Sequence, residues 1–585
     1  MDKTHSRRTF CKGLAVGAGA MAGAAFPGCD AILSLLNQPS SLADDWNQRR
    51  DKYDYVIVGS GYGGAILAAR ICEARPDATV CVLERGREWP VGSFPDTTEA
   101  YDRAVRSPVL NPLGLYEFRS SGNIGVLQGC GLGGTSLINA NVALMPDANV
   151  FDPDKWPSGM TLESLRPYFD KAKSVLAPSP HPRADSFLKF QALGRGVSED
   201  GAKALDLTVN YDLDGVNTFG VRQRPCIDCG DCLTGCNVGA KNTVAMNYLP
   251  YARANGAKLY ARSEVGWIEK RPDNEWRLHG GHYGQIGLPQ PFTLRADNVI
   301  LAAGTLGSTE ILLRSQANGL SLSKQLGQGF GGNGDFFGFA YNSDHQVNVL
   351  GFGNNPTHPW RRNAPGPSVI GGIRYNPDGP LAQRFIIEEM NIPKALIGQM
   401  MTSLRLLPAV DTDEGDESAE SGRRLLDRPS RPYVDHNAVN HTMIYLVVGH
   451  DKANGRIFLN PDGRAEIDWS PTSGREQVLE TINSELREYS RALGAQFIAN
   501  PLWTVTDGQM LITAHPLGGC PMGDSHERGV VDEFGRVYAA TGERHANLYV
   551  ADGSVIPTSL GTNPFLTIAA VCERIADHLC SKASD

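Results

Sequence analysis

Tyr53-Asp54-Tyr55-Val56-Ile57-Val58-Gly59-Ser60-Gly61-Tyr62-Gly63-Gly64 is the stretch on which the fold turns. The apolar run Tyr53 to Val58 reads as a buried strand, and Ala65 to Ala74 as the helix after a glycine-rich turn. A second strand, Thr79 to Leu83, completes a βαβ unit of the dinucleotide-binding kind. In such a unit Gly59, Gly61, Gly63 and Gly64 let backbone N–H groups approach a pyrophosphate at the positive end of the helix, with Tyr62 in the same turn. Glu84, at the end of the second strand, is placed to accept hydrogen bonds from a ribose.

The same fingerprint serves NAD and FAD, so the choice rests on segments farther away. Gly129 to Asn139 is a second glycine-rich stretch rich in backbone donors, with Gly131, Gly134, Thr135, Ser136 and Asn139 as cofactor contacts. Near the C-terminus, Asn547 to Ser554 reads as a strand and turn, carries Asp552 and Gly553, and leads into a helix ending near Leu579. Three segments spread over most of the chain suit a cofactor enclosed by the fold and not exchanged at each turnover, which favours FAD.

Composition bounds the rest. The chain has 585 residues, enough for two or more domains, and 65 glycines. With 55 basic and 64 acidic side chains, a net charge of −9 and no basic block, it has no electrostatic footprint for nucleic acid. Arg7 and Arg8 precede a short apolar, Gly/Ala-rich run from Gly13 to Phe26. This run falls short of the ~20 residues that span a bilayer and resembles a twin-arginine export signal. The expectation is export through the twin-arginine machinery to a periplasmic or extracellular location, with residues 1–28 as signal. Lipid anchoring through Cys29 is an alternative to cleavage after Ala22-Gly23-Ala24.

Lys258 to Lys270 and Trp276 to Leu294 alternate like antiparallel strands, and Asn298 to Ala303 reads as a buried parallel strand. The acidic run Asp411 to Glu420 reads as a solvated loop, and Pro393 to Leu407 as an apolar helix, either core or a lid over an apolar cavity.

Taken together, the strand and turn from Tyr55 to Gly64, Leu83-Glu84-Arg85-Gly86, His515-Pro516-Leu517-Gly518-Gly519-Cys520, Asp552-Gly553-Ser554 and Gly561-Thr562-Asn563-Pro564-Phe565 resemble the glucose-methanol-choline oxidoreductases, and among them the cholesterol oxidases. The resemblance spans about residues 52 to 580. It implies an α/β plus α+β protein: a discontinuous Rossmann-like FAD-binding domain and a substrate domain on a mainly antiparallel sheet. The FAD-binding segments would be 52–150, 240–332 and 501–580, and the substrate segments 151–239 and 333–500. Val265 and Phe565 join the cofactor contacts on the same ground.

The resemblance also implies the chemistry. An alcohol oxidised by flavin loses a hydride to flavin N5 and a proton from oxygen, and a neutral imidazole suits the proton. His515 matches the family's active-site histidine and Asn563 its partner, which orients the substrate oxygen. Phe385 to Pro393 aligns with a strand whose carboxylate moves a proton during double-bond isomerisation of a 3-ketosteroid. Counting back from Pro393 selects Glu388, with Glu389 as the off-by-one alternative. The expected partners are a hydrophobic alcohol and either molecular oxygen or a redox acceptor protein or quinone.

Cys226, Cys229, Cys232 and Cys236 follow the spacing of a bacterial ferredoxin run, with Asn237 where proline is usual. In two-cluster ferredoxins the fourth cysteine of such a run ligates the other cluster, so a [3Fe–4S] cluster, or a [4Fe–4S] cluster completed by a distant ligand, is expected. Zinc and disulfides are the alternatives. The best studied cholesterol oxidases lack such a run, so the chain departs from them here. The run leaves two further readings open: an iron–sulfur flavoprotein dehydrogenase passing electrons to a cytochrome or quinone, and a non-catalytic electron-transfer protein.

Overall fold

A computed structural model describes residues 41–581 except 122–123, 196–200, 285–287, 408, 413–416, 470–475 and 501–510. The chain divides into Met1–Ser41 and Leu42–Asp585. The twin-arginine pair, the apolar run and Cys29 therefore lie outside the described residues.

The βαβ unit forms where the apolar periodicity placed it. Strand Lys52–Val58 pairs in parallel with Val80–Leu83 on one side, in the register Tyr55 to Val80, and with Gln290–Leu301 on the other. The eight-stranded sheet runs in the order Arg536–Tyr538, Arg544–Val550, Gln290–Leu301, Lys52–Val58, Val80–Leu83, Lys258–Tyr260, with Trp276–His282 branching from Gln290–Leu301 and Ser263–Lys270 pairing with that branch. Gln290–Leu301 serves two ladders. Its first half alternates between buried and exposed and runs antiparallel to Trp276–His282, whereas Val299 to Leu301 are all buried and lie between parallel neighbours. The change in burial is what a strand shows when one face is solvated at one end and both faces are covered at the other. Helix Tyr62–Ala74 covers the sheet and packs on the C-terminal helix Phe565–Ser581. Helix Leu162–Leu176, within a segment that the resemblance places on the substrate side, packs on that C-terminal helix too.

A six-stranded sheet follows the order Gln496–Ile498, Phe336–Tyr341, Met443–Gly449, Phe385–Met390, Gly371–Tyr375, Lys203–Ala204, with every pair antiparallel. Its core includes Phe336, Ile387, Ile444 and Val447, joined by Ile482 and Leu486 of helix Glu476–Ala492. Burial of each such side chain contributes roughly 1.5–3 kcal/mol. The apolar segment after Pro393 forms helix Ile397–Leu406, which buries Ile397, Met401 and Leu404 in the same core. The acidic run departs from expectation. Its last residues begin helix Glu417–Leu426, because Glu420 turns inward and its Oε2 accepts a hydrogen bond from the Gln496 side chain.

A small third sheet pairs Leu511–Thr513 in parallel with Ile124–Gly129, which is antiparallel to Tyr116–Ser121. Its position matters because His515 leaves directly from the end of Leu511–Thr513.

Candidate active site

The glycine-rich turn is built by close approach. A methyl group on Gly63 would lie 1.7 Å from the Ala551 carbonyl oxygen, so the C-terminal segment can touch the turn only at a glycine. At Gly61 an added methyl would meet nothing within 4 Å, so the turn opens there at the N-terminus of helix Tyr62–Ala74. The second glycine-rich stretch closes against this opening. The Gly133 N–H donates to Ser60 Oγ (3.0 Å), and Gly134 sits so close that an added Cβ would lie 2.8 Å from Gly61 Cα. Thr135 Oγ1 accepts from the Gly129 N–H, and Ser136 Oγ donates to the Gly133 carbonyl.

Glu84 stands where a ribose contact was expected. Its carboxylate already accepts from the Ser60 hydroxyl (2.6 Å), the Ser60 N–H (3.2 Å) and the Gly86 N–H (2.8 Å). Burial raises its pKa, and these donors oppose the rise. Val265 is buried two residues beyond Ser263, whose N–H bonds the Glu84 carbonyl. The Tyr62 ring stacks on Phe565 with centroids 4.9 Å apart, and the Tyr62 hydroxyl accepts from Asn139 Nδ2 (2.8 Å). Asn139 Oδ1 is buried with no partner. Asp552 is fully engaged: it accepts from Gly304 N–H, the Ser308 hydroxyl, and the N–H and hydroxyl of Ser554. It therefore braces the turn through Gly553 from within. An open anion-binding face at a helix N-terminus, next to an orphaned buried amide oxygen, fits a dinucleotide cofactor.

The second cluster joins elements from four parts of the chain. His515 Nδ1 lies 2.7 Å from Asp335 Oδ1. The other Asp335 oxygen accepts from the Ala514 N–H and the Thr513 hydroxyl, both at 2.9 Å. Asp335 is 3% exposed at the head of strand Phe336–Tyr341, so its charge faces the imidazole with little screening. Burial of His515 disfavours the imidazolium, but the charge and hydrogen bond of Asp335, aided by Glu388, outweigh it and hold the pKa above the ordinary range. Asn563 Nδ2 approaches Glu388 Oε2 at 3.3 Å. Glu388 Oε1 and Asn563 Oδ1 are both buried without partners. Burial pushes the Glu388 pKa up to about 8 against the opposing influence of His515 and Asn563.

The two candidate glutamates part along the pleat, because successive side chains of a strand point to opposite faces. Glu388 faces Asn563 and His515. Glu389 turns the other way to pair with Lys189 at 2.8 Å, both side chains fully buried, and accepts from the N–H groups of Ile370 and Gly371.

Residues 53–330 match the N-terminal profile, and residues 456–572 the C-terminal profile, of the GMC oxidoreductases. The chain belongs to the GMC oxidoreductase family. It is 29% identical over 569 residues to a cholesterol oxidase of Mycobacterium tuberculosis, covering 90% of each chain. A cholesterol oxidase of Acinetobacter baumannii is 27% identical, over 91% of this chain and 95% of that one. Among solved structures, pyridoxine 4-oxidase from Mesorbium loti superposes with a TM-score of 0.58 at 17% identity, covering 91% of this chain and all of that one. An Aspergillus oryzae formate oxidase reaches 0.60 at 15%, over 90% and 98%. This GMC oxidoreductase is accordingly a FAD-dependent alcohol oxidoreductase with the expected fold class.

The residues that sequence reasoning missed lie in the turn from Gly331 to Asp335. Besides Asp335, Asn333 is fully buried there. Its Nδ2 donates to the Thr562 carbonyl (2.8 Å), and its Oδ1 accepts from the Leu560 N–H (2.7 Å). One turn thus holds both His515 and the loop that presents Asn563. The available signal was polar residues interleaved with glycines directly before an apolar strand, which marks a constrained turn but names no partner.

Cys226, Cys229, Cys232 and Cys236 all line one small cavity, with Asp231, Lys241 and apolar neighbours. None of the four is in a disulfide. Among the described residues no group of three or more His, Cys, Asp or Glu side chains is set to grip a metal ion. Cys236, the fourth of the run, lines the same cavity as the other three. The remaining described cysteines are scattered: Cys72, Cys81, Cys130, Cys520 and Cys572 are buried, and Cys580 is half-buried.

Proposed function

We propose that this GMC oxidoreductase oxidises the hydroxyl of a sterol or a similar hydrophobic alcohol. The observation that carries the reading is the pairing of a carboxylate-oriented imidazole, Asp335 and His515, with a buried carboxyl–amide pair, Glu388 and Asn563. The similarity to two cholesterol oxidases supports the substrate class. FAD, bound by the segments around Gly61, Gly134 and Asn139, supplies a hydride acceptor.

The protein's own part is the proton and the pose. With its Nδ1 proton engaged by Asp335, neutral His515 presents an unprotonated Nε2, which takes the hydroxyl proton as the carbinol C–H departs as hydride. Asp335 stabilises the imidazolium that results, as the acidic member of a catalytic triad does. Glu388 Oε1 and Asn563 Oδ1, buried and unpartnered, are the polar atoms left to meet the substrate oxygen. A carboxyl with a pKa of about 8 can both take up and release a proton near neutrality, which suits Glu388 to double-bond isomerisation of the ketone product.

Anaerobic addition of a 3β-hydroxysteroid to the flavin-loaded protein should bleach the flavin. Bleaching by long-chain primary alcohols with none by any sterol would sink the sterol assignment. Readmitting air and assaying peroxide then separates molecular oxygen from another acceptor. We further propose export by the twin-arginine route. Replacing Arg7 and Arg8 by lysine should retain the protein in the cytoplasm, and continued export would exclude that route.

A further inference from the structure

We propose that Cys226, Cys229, Cys232 and Cys236 together hold an iron–sulfur cluster, with one thiolate on each of four irons. The loop from Cys226 to Cys236 is shaped for it. Asp228, Gly230 and Gly235 all take positive φ, which bends the segment around the cavity. At Gly230 the backbone lies so close to its surroundings that an added Cβ would stand 2.7 Å from Asn391 Nδ2 and 3.0 Å from Gly351 Cα. The loop is therefore braced from outside, and its four cysteines line the cavity.

The four cysteines share one cavity and are not bonded in pairs. A polynuclear cluster takes one ligand at each corner, so four cysteines around a common cavity suit it, and a single close run is more cramped than the two separated pairs that usually hold zinc.

Buried polar groups short of partners lie around the thiols. Asn141, 1% exposed, sets its amide against Cys232 and bonds no other group. The Tyr211 hydroxyl, beside Cys226, and the Ser368 hydroxyl are buried without partners. Buried polar groups are rarely left unpaired in folded proteins, and hydrogen bonds to sulfur are a means by which iron–sulfur sites are tuned. Lys241, 2% exposed, lines the same cavity and sets a cation against the negative charge that four thiolates and their sulfides bring.

Lys241 also ties the cavity to the cofactor segment. Its Nζ donates to the Cys232 carbonyl (3.2 Å) and to the Asn139 carbonyl (2.6 Å), and the Asn139 side chain donates to Tyr62. Oxidation of one alcohol to a ketone releases two electrons and two protons. A cluster takes one electron at a time, so it passes the pair in two steps to two equivalents of a one-electron oxidant such as a ferric haem protein, and the protons go to water.

The test is the metal and sulfide content of the full chain, purified without air and, in parallel, reconstituted with ferrous iron and sulfide. About four iron and four acid-labile sulfide per chain, with a reduced-state EPR signal, are expected. Absence of uptake after reconstitution, one zinc without sulfide, or two disulfides by mass would overturn the proposal. Three irons with one thiol still alkylatable would overturn the four-ligand arrangement. Cys232→Ser and Cys236→Ser should lose the iron while keeping flavin absorbance, and Lys241→Gln should keep the cluster but lower its midpoint potential. If the cysteine variants fail to fold, the iron and sulfide of the unaltered chain still decide. None of these readouts depends on which alcohol is oxidised.

Discussion

Replacing Asp335 by asparagine tests the proton chemistry most directly, because the change keeps the shape and removes the charge. Asp335 Oδ1 lies 2.7 Å from His515 Nδ1, and both residues are screened from water. The charge and hydrogen bond of Asp335 hold the His515 pKa up. The neutral imidazole is the working base, so the rate of flavin reduction should climb as pH rises through the His515 pKa. In Asp335→Asn that inflection should move to lower pH. The plateau above it should also fall, by about 10²- to 10⁴-fold, the range a positioned general base supplies. An amide cannot accept from His515, Ala514 and Thr513 as two carboxylate oxygens do, so one donor is left facing an N–H group. Orphaning one buried donor costs about 1–3 kcal/mol of stability, which a thermal melt would register. The assay is stopped-flow bleaching by substrate across pH in protein with full flavin content. An unchanged inflection and plateau in a folded, flavin-loaded variant would refute the role given to Asp335.

Glu388→Gln should abolish the isomerised product while leaving oxidation measurable, read by chromatography of the steroid products. The same variant should change the pH dependence of stability. The folded pKa of about 8 lies above the unfolded value of about 4.3, so the native state loses stability as pH rises through that window. Glutamine has no such loss, and its melting temperature relative to the unaltered protein should therefore rise from pH 5 to pH 8. Lys189→Met strands the Glu389 carboxylate in the core and should cost about 3–5 kcal/mol in urea unfolding. Gly63→Ala places a methyl 1.7 Å from the Ala551 oxygen and should abolish flavin retention, seen as loss of the visible flavin spectrum on gel filtration.

What could be read from the chain followed the range of the physics involved. The βαβ unit depends on local periodicity and a turn, so Lys52–Val58, Tyr62–Ala74 and Val80–Leu83 all fell within a few residues of their expected limits. The C-terminal strand and helix were legible for the same reason. Asp335 was not, because its partner is 180 residues away and a carboxylate after glycines looks like any solvated turn. The acidic run misled through composition: one member, Glu420, turned inward to an amide partner in Gln496, and the charge count could not show that. The Asn333 bridge to the Asn563 loop was hidden in the same way, since a buried asparagine is recognised by what it bonds.

The Glu388 and Glu389 pair shows why an off-by-one question in a strand is a question about two different sites. Strand Phe385–Met390 is buried from Phe385 through Glu389, so neither glutamate can reach water, and each needs its own compensation. Glu388 is kept toward the neutral form by burial and meets Asn563, whereas Glu389 is matched by a full cation, Lys189, and two backbone N–H groups. Lys189 Nζ also donates to the carbonyls of Pro367 and Ser368, and Pro367 lines the cysteine cavity. One strand therefore presents a titratable carboxyl to the alcohol site on one face and anchors the wall of the cysteine site on the other. Moving the register by one residue would leave only one of the two sites with a glutamate: Met390 would replace Glu389 opposite Lys189, or Ile387 would replace Glu388 at the alcohol site. The antiparallel partners prevent that slip, because Glu388 is locked opposite Gly372 on one side and Leu446 on the other.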